Sequence, residues 1–124
     1  MNTYPASDAL TIEKHGEVTV VVASPVIEYM ESSMIEGASS LLLEALRDQA
    51  CPNVIVDLTG LGHFGSPFLS LLIRCWKLTT FAGGTFALAG VSRQSKDLLH
   101  MTSLDQVWPM YADRREAIET LDGE

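Results

Sequence analysis

The stretch Val54-Ile55-Val56-Asp57-Leu58 constrains the fold more than any other part of the chain. It is continuously apolar up to Asp57, β-branched at its first three positions, and closed by the turn formers Thr59-Gly60. A strand with one wet face alternates apolar and polar residues. A run like this one fits a strand covered on both faces. Strands of that kind sit beside parallel neighbours joined by helical crossovers, so the segment points to an α/β fold.

The remaining sequence alternates accordingly. Leu10 to Ile12 and Val18 to Val22 read as an antiparallel hairpin around His15-Gly16-Glu17, stopped by Pro25. Ser33 with Glu36 fits a capping box, and Ile35, Ala38, Leu42, Ala45 and Leu46 follow at helical spacing, ending before Pro52. After the buried strand, a helix is expected from about Pro67 to Ala82. Leu69, Leu72, Ile73 and Trp76 form its core stripe, and Ser70, Arg74 and Lys77 its polar one. Gly83-Gly84 closes it as a C-cap. Thr85 to Ala89 is a further core strand, expected to run parallel to Val54 to Leu58. Ser92 caps a short helix through Leu99. Val107 to Tyr111 reads as an edge strand because Pro109 cannot donate to a ladder, and Asp113 with Glu116 opens a terminal helix. The order β-β-α-β-α-β-α-β-α implies right-handed crossovers and one domain over residues 1–124, with its core at about 10–121.

The chemistry concentrates between Asp57 and Lys77. Ser66 stands directly before Pro67, and proline is favoured at the first helical position, so Ser66 is expected at the N-cap. One reading makes it a cap only. The other makes it a switch, because a phosphate there would lie against the positive end of the helix. Asp57, His63 and Ser66 are also the residue types of a hydrolase triad, but Phe64 and Phe68 occupy the glycine places of a nucleophile elbow. Phe68 reads as core. His15, His63 and His100 lack metal-ligand spacing, so no metal or cofactor is expected.

The segment VIVDLTGLGHFGSPFLSLL resembles the central motif of the STAS domain (sulfate transporter and anti-sigma factor antagonist). Asp57-Leu58-Thr59-Gly60 matches the Asp-Leu-Ser/Thr-Gly that ends the family's apolar strand, and Ser66 falls on the family's phosphorylatable serine. Gly83 to Ser92 is similar to its glycine turn, fourth strand and helix cap, and Leu98 to Leu104 to its Leu-x-x-Thr-Gly-Leu element. Gly65 stands where the family has aspartate, a residue paired with the serine in kinase recognition. Pro67 and Phe68 replace a small residue and glycine.

The resemblance implies a mixed sheet with parallel core strands and helices mainly on one face. It implies a binding protein, not an enzyme: an anti-sigma factor antagonist in a partner-switching pathway of transcription regulation, phosphorylated at Ser66. Its partner would be an anti-sigma factor of serine-kinase fold, and a homodimer stays open. The expected contact surface is Gly62, His63, Gly65, Ser66, Ser70, Arg74 and Lys77, with Asp57 as the strand-end motif. An unswitched STAS scaffold or transporter-associated subunit, and a small hydrolase using Ser66, are the competing readings.

Charge and composition agree with that reading. The net charge of −8 over 124 residues argues against nucleic acid and anionic membrane surfaces. No apolar run of membrane-spanning length occurs, and Met1 to Asp8 lacks the features of a signal peptide. Cys51 and Cys75 make no disulfide framework and are expected to be reduced and buried. A cytoplasmic location is the expectation.

Overall fold

The computed structural model describes residues 2–5, 9–29, 31–47 and 49–122, with backbone alone at 2–5 and 122. Its elements are β1 (Asn2–Pro5), β2 (Leu10–His15), β3 (Val18–Ala23), α1 (Ser32–Arg47), β4 (Asn53–Asp57), α2 (Ser66–Phe81), β5 (Thr85–Ala89), α3 (Arg93–Met101), β6 (Met110–Tyr111) and α4 (Arg114–Asp122). Single 3-10 turns occupy Pro25–Tyr29 and Leu104–Gln106.

The six strands form one sheet whose spatial order is the chain order. β1, β2 and β3 pair antiparallel; β3 to β6 run parallel, with Val54 opposite Phe86 and Asp57 opposite Ala89. Three successive crossovers advance in one direction across the sheet. Right-handed crossovers, the rule for parallel strands, then lay α1, α2 and α3 on the same face, and residues of all three share one core. α4 follows the last strand and covers the opposite face.

Alternation along the strands supplies both cores. Val54 and Val56 join Leu42, Leu72 and Leu99 beneath the three helices, whereas Ile55 joins Val18, Val20, Ala87 and Ala117 beneath α4. β4 is thus covered on both faces, as its composition demands.

Several expectations shift. β1 adds a strand ahead of the Leu10 hairpin. β6 spans two residues because Trp108 leaves the ladder for the helical-face core. There it packs edge-on against Phe86 at 5.2 Å and Trp76 at 5.8 Å. Pro109 still serves the edge, since its carbonyl accepts from the Leu88 N–H at 2.9 Å. On α2 the buried stripe is Phe68, Leu71, Leu72, Cys75 and Thr79; Leu69, Ile73 and Trp76 are half-buried along its flank. α1 starts at Ser32, with the Glu31 carbonyl receiving the first amides, so no capping box forms between Ser33 and Glu36. Cys51 is exposed in the turn before β4, and only Cys75 is buried. The α2 C-cap stands, with Gly83 at φ 82° and the Gly84 N–H reaching the Thr79 carbonyl at 2.9 Å.

Candidate functional site

β4 ends at Asp57, whose side chain points to the α4 face and is 5% exposed. Its Oδ1 accepts from the Thr59 N–H at 3.0 Å and from the Thr59 hydroxyl at 2.6 Å, an Asx turn that swings the chain off the strand. Its Oδ2 faces Arg114 Nε of α4 at 3.5 Å. The same guanidinium donates to Glu13 Oε1 at 2.8 Å. The Glu13 carboxyl is held below its ordinary value, first by its hydrogen bond with His15, against opposing desolvation, and then by Arg114. Asp57 therefore shapes the start of the loop and anchors α4, and its side-chain partners are Thr59 and Arg114, not Gly62 to Ser66.

Leu61 and Phe64 turn inward, pinning the loop to the core, with Phe64 edge-on to Phe68 at 5.2 Å. Gly62, His63 and Gly65 stay exposed between these anchors. Two residues whose contacts with the loop carry no sequence signal hold them. Glu28 accepts from the Gly62 N–H at 2.9 Å and lies 3.3 Å from His63 Nδ1. Ser92, besides capping α3 through the Ser95 N–H, donates to the Gly62 carbonyl at 2.6 Å. A serine cap was legible in the sequence; its second bond, thirty residues back along the chain, was not.

Ser66 is not the N-cap. Gly65 occupies that position with extended φ, ψ of −103° and −171°, and its carbonyl receives the Leu69 N–H at 3.1 Å. Glycine offers no side chain to cap, so the α2 N-terminus is uncapped by side chains. Ser66 is the first helical residue and Pro67 the second, which proline also tolerates. The Ser66 hydroxyl is exposed and makes no hydrogen bond among the described residues.

Ser70, Arg74 and Lys77 continue outward along α2, all exposed. Arg74 Nη2 meets Glu36 Oε1 of α1 at 2.9 Å, which redirects the carboxylate that the capping-box pattern assigned to Ser33. Between the helices lies a groove of about 270 Å³; Ser32, Glu36 and Ser39 from α1 and Ser66, Ser70 and Arg74 from α2 supply its polar lining, and Ile35, Pro67 and Leu71 its apolar part. Ser39 is 1% exposed, and its hydroxyl has no hydrogen-bond partner among the described residues.

The seven expected contact residues thus follow one another, all exposed, from the loop along α2, and Ser66, Ser70 and Arg74 among them border the groove with α1. Asp57, His63 and Ser66 form no bonds to one another. The aspartate is engaged by Thr59 and Arg114, and the imidazole by Glu28, so the triad arrangement is not built. No helix among the described residues is long and apolar enough to cross a membrane.

A chain-ordered mixed sheet with three helices on one face and one behind, and an Asx turn leading to an exposed serine at a helix start, defines a domain of the STAS type. The chain belongs to the STAS domain family, whose profile matches residues 7–117. It is similar to an anti-sigma F factor antagonist of Paenibacillus polymyxa, 25% identical over 113 residues covering 91% of this chain and 94% of the relative. A solved STAS anti-sigma-factor antagonist domain from Planctomyces limnophilus superposes with a TM-score of 0.82 at 32% identity, covering 91% of this chain and 97% of that one. A putative anti-sigma factor antagonist from Thermotoga maritima shares the fold, with a TM-score of 0.78 at 19% identity over 93% and 96% of the two chains.

Proposed function

We propose that this protein is an anti-sigma factor antagonist that acts by binding in the cytoplasm. It docks an anti-sigma factor of serine-kinase fold through the loop Gly62 to Gly65, Ser66, and the Ser70–Arg74–Lys77 side of α2, and phosphorylation of Ser66 releases it. The observation that carries this reading is the state of Ser66: an exposed hydroxyl with no hydrogen bond among the described residues, at the first position of a sixteen-residue helix. A phosphate there is tolerated by the free N–H groups and positive end of α2. It also adds nearly two charges to a surface that must desolvate on docking.

Binding of Ser66 variants to the anti-sigma factor tests it. Ser66→Asp weakens binding by roughly tenfold or more, and Ser66→Ala binds as wild type does. Because Gly65 and not Ser66 holds the cap position, Ser66→Ala also leaves stability within about 0.5 kcal/mol of wild type. Gly65, standing where the family pattern has aspartate, favours one second reading, a constitutively bound module. That reading requires both variants to bind alike and no phosphate on Ser66 in cells. A partner footprint confined to the α4 face retires both.

A further inference from the structure

The groove between α1 and α2 has its own polarity. Ser66, Ser70 and Arg74 are spaced by four and line one side of it. Arg74 lies two turns from Ser66, about 12 Å along the axis, and long helical side chains lean toward the N-terminus of their helix, so its guanidinium can swing from Glu36 toward the Ser66 end of the groove. Glu36 and Arg74 are the titratable groups lining the groove, and they are paired with each other. Both are well exposed, at 62% and 46% of their side chains, and exposed pairs of this kind hold weakly. Ser39 also lines the groove, and among the described residues its buried hydroxyl has no hydrogen-bond partner, which favours a polar occupant or water there.

We infer that Arg74 is the receptor for a phosphate on Ser66: the phosphate settles over the α1–α2 groove and draws the guanidinium away from Glu36. This rests on Ser66 as the modified residue. A phosphate dianion carries more charge than a carboxylate and matches the guanidinium fork, so it wins the exchange. Ser70, one turn above Ser66, supplies a hydroxyl on the way. The consequence is a rearranged surface as well as an added charge. The α1–α2 ion pair opens, and Glu36 is left unpaired beside the docking face.

The test uses the full chain with phosphoserine installed at position 66 during translation, read by phosphorus NMR across pH. The second ionisation of an exposed phosphoserine lies near 6. Here it falls by about half a unit or more, a roughly threefold change in the ionisation constant. Arg74→Gln returns most of that shift. Glu36→Gln breaks the same ion pair but removes a competitor, so it lowers the value further. A titration unchanged by Arg74→Gln overturns the inference. So does an equal rise in both variants, which would mean that the ion pair matters only for packing. Installing the phosphate directly separates this inference from the switch. A partner that ignores phosphoserine retires the switch while the Arg74 effect stands, and a titration unchanged by Arg74→Gln with a partner that discriminates does the reverse.

Discussion

Asp57 Oδ2 and Arg114 Nε lie 3.5 Å apart, joining the end of β4 to the first turn of α4 on the face of the sheet opposite α2. Through Asp57 Oδ1 the same carboxylate sets the Thr59 turn, so one side chain holds both the fourth helix and the start of the Ser66 loop. Asp57→Ala leaves the Thr59 N–H and the Arg114 guanidinium short of an acceptor. It costs about 1–3 kcal/mol in urea unfolding. A loss under about 0.5 kcal/mol would show that the turn stands without the carboxylate.

Gly90 and Gly37 respond in opposite directions to the same substitution. Gly90 follows β5 at φ 66°, and a Cβ there collides with Thr59. Gly90→Ala therefore destabilises by more than about 1 kcal/mol and disturbs the loop. Gly37 lies in α1 with open space around its Cα, and Gly37→Ala stabilises by about 0.5–1 kcal/mol. Thermal melts of the two variants moving the same way would contradict this account.

Leu72 is fully buried at the centre of the helical-face core. Leu72→Ala costs about 2–5 kcal/mol, with the spread set by how far the site collapses. The half-buried Leu69 on the flank costs less on truncation, and denaturant midpoints of the pair check the assigned face of α2. Equal losses would place the core stripe where the spacing alone put it.

The cysteines separate by reactivity. Cys51 is exposed, so a thiol reagent at mild alkaline pH labels it in the native state. Burial pushes the Cys75 thiol up to about 12 from an ordinary value of 9.0, against a hydrogen bond from Thr79 that lowers it. Cys75 therefore reacts only on unfolding. Its raised folded value means that the unfolded chain loses the thiol proton first as pH rises. Stability from this group is intact below pH 9.0 and falls progressively above it, until the folded thiol ionises near pH 12. Cys75→Ala flattens that alkaline decline in a pH series of unfolding curves. An unchanged decline would assign it to other groups.

The sequence alone determined the elements and their alternation, because the signals that specify them are local. Val54 to Val56 could only satisfy a strand covered twice. Ser92 and Asp113 cap α3 and α4 as their positions require, and Gly83 takes the left-handed conformation that ends α2. The exposed side of α2 at Ser70, Arg74 and Lys77 followed from helical period, as did the burial of Phe68 from its apolar bulk. Tertiary structure decided what depends on partners distant in the chain. Glu28 and Ser92 hold the Gly62 loop, Trp108 abandons the edge strand for Trp76 and Phe86, and Glu36 turns from its own helix to Arg74. A hydrogen bond or a ring contact chooses its partner by position in space, and no spacing along the chain encodes that choice. The α2 cap fell between the two kinds of information. The Ser-Pro pair marked the right turn, but the register shifted by one residue to Gly65 and left the Ser66 hydroxyl free.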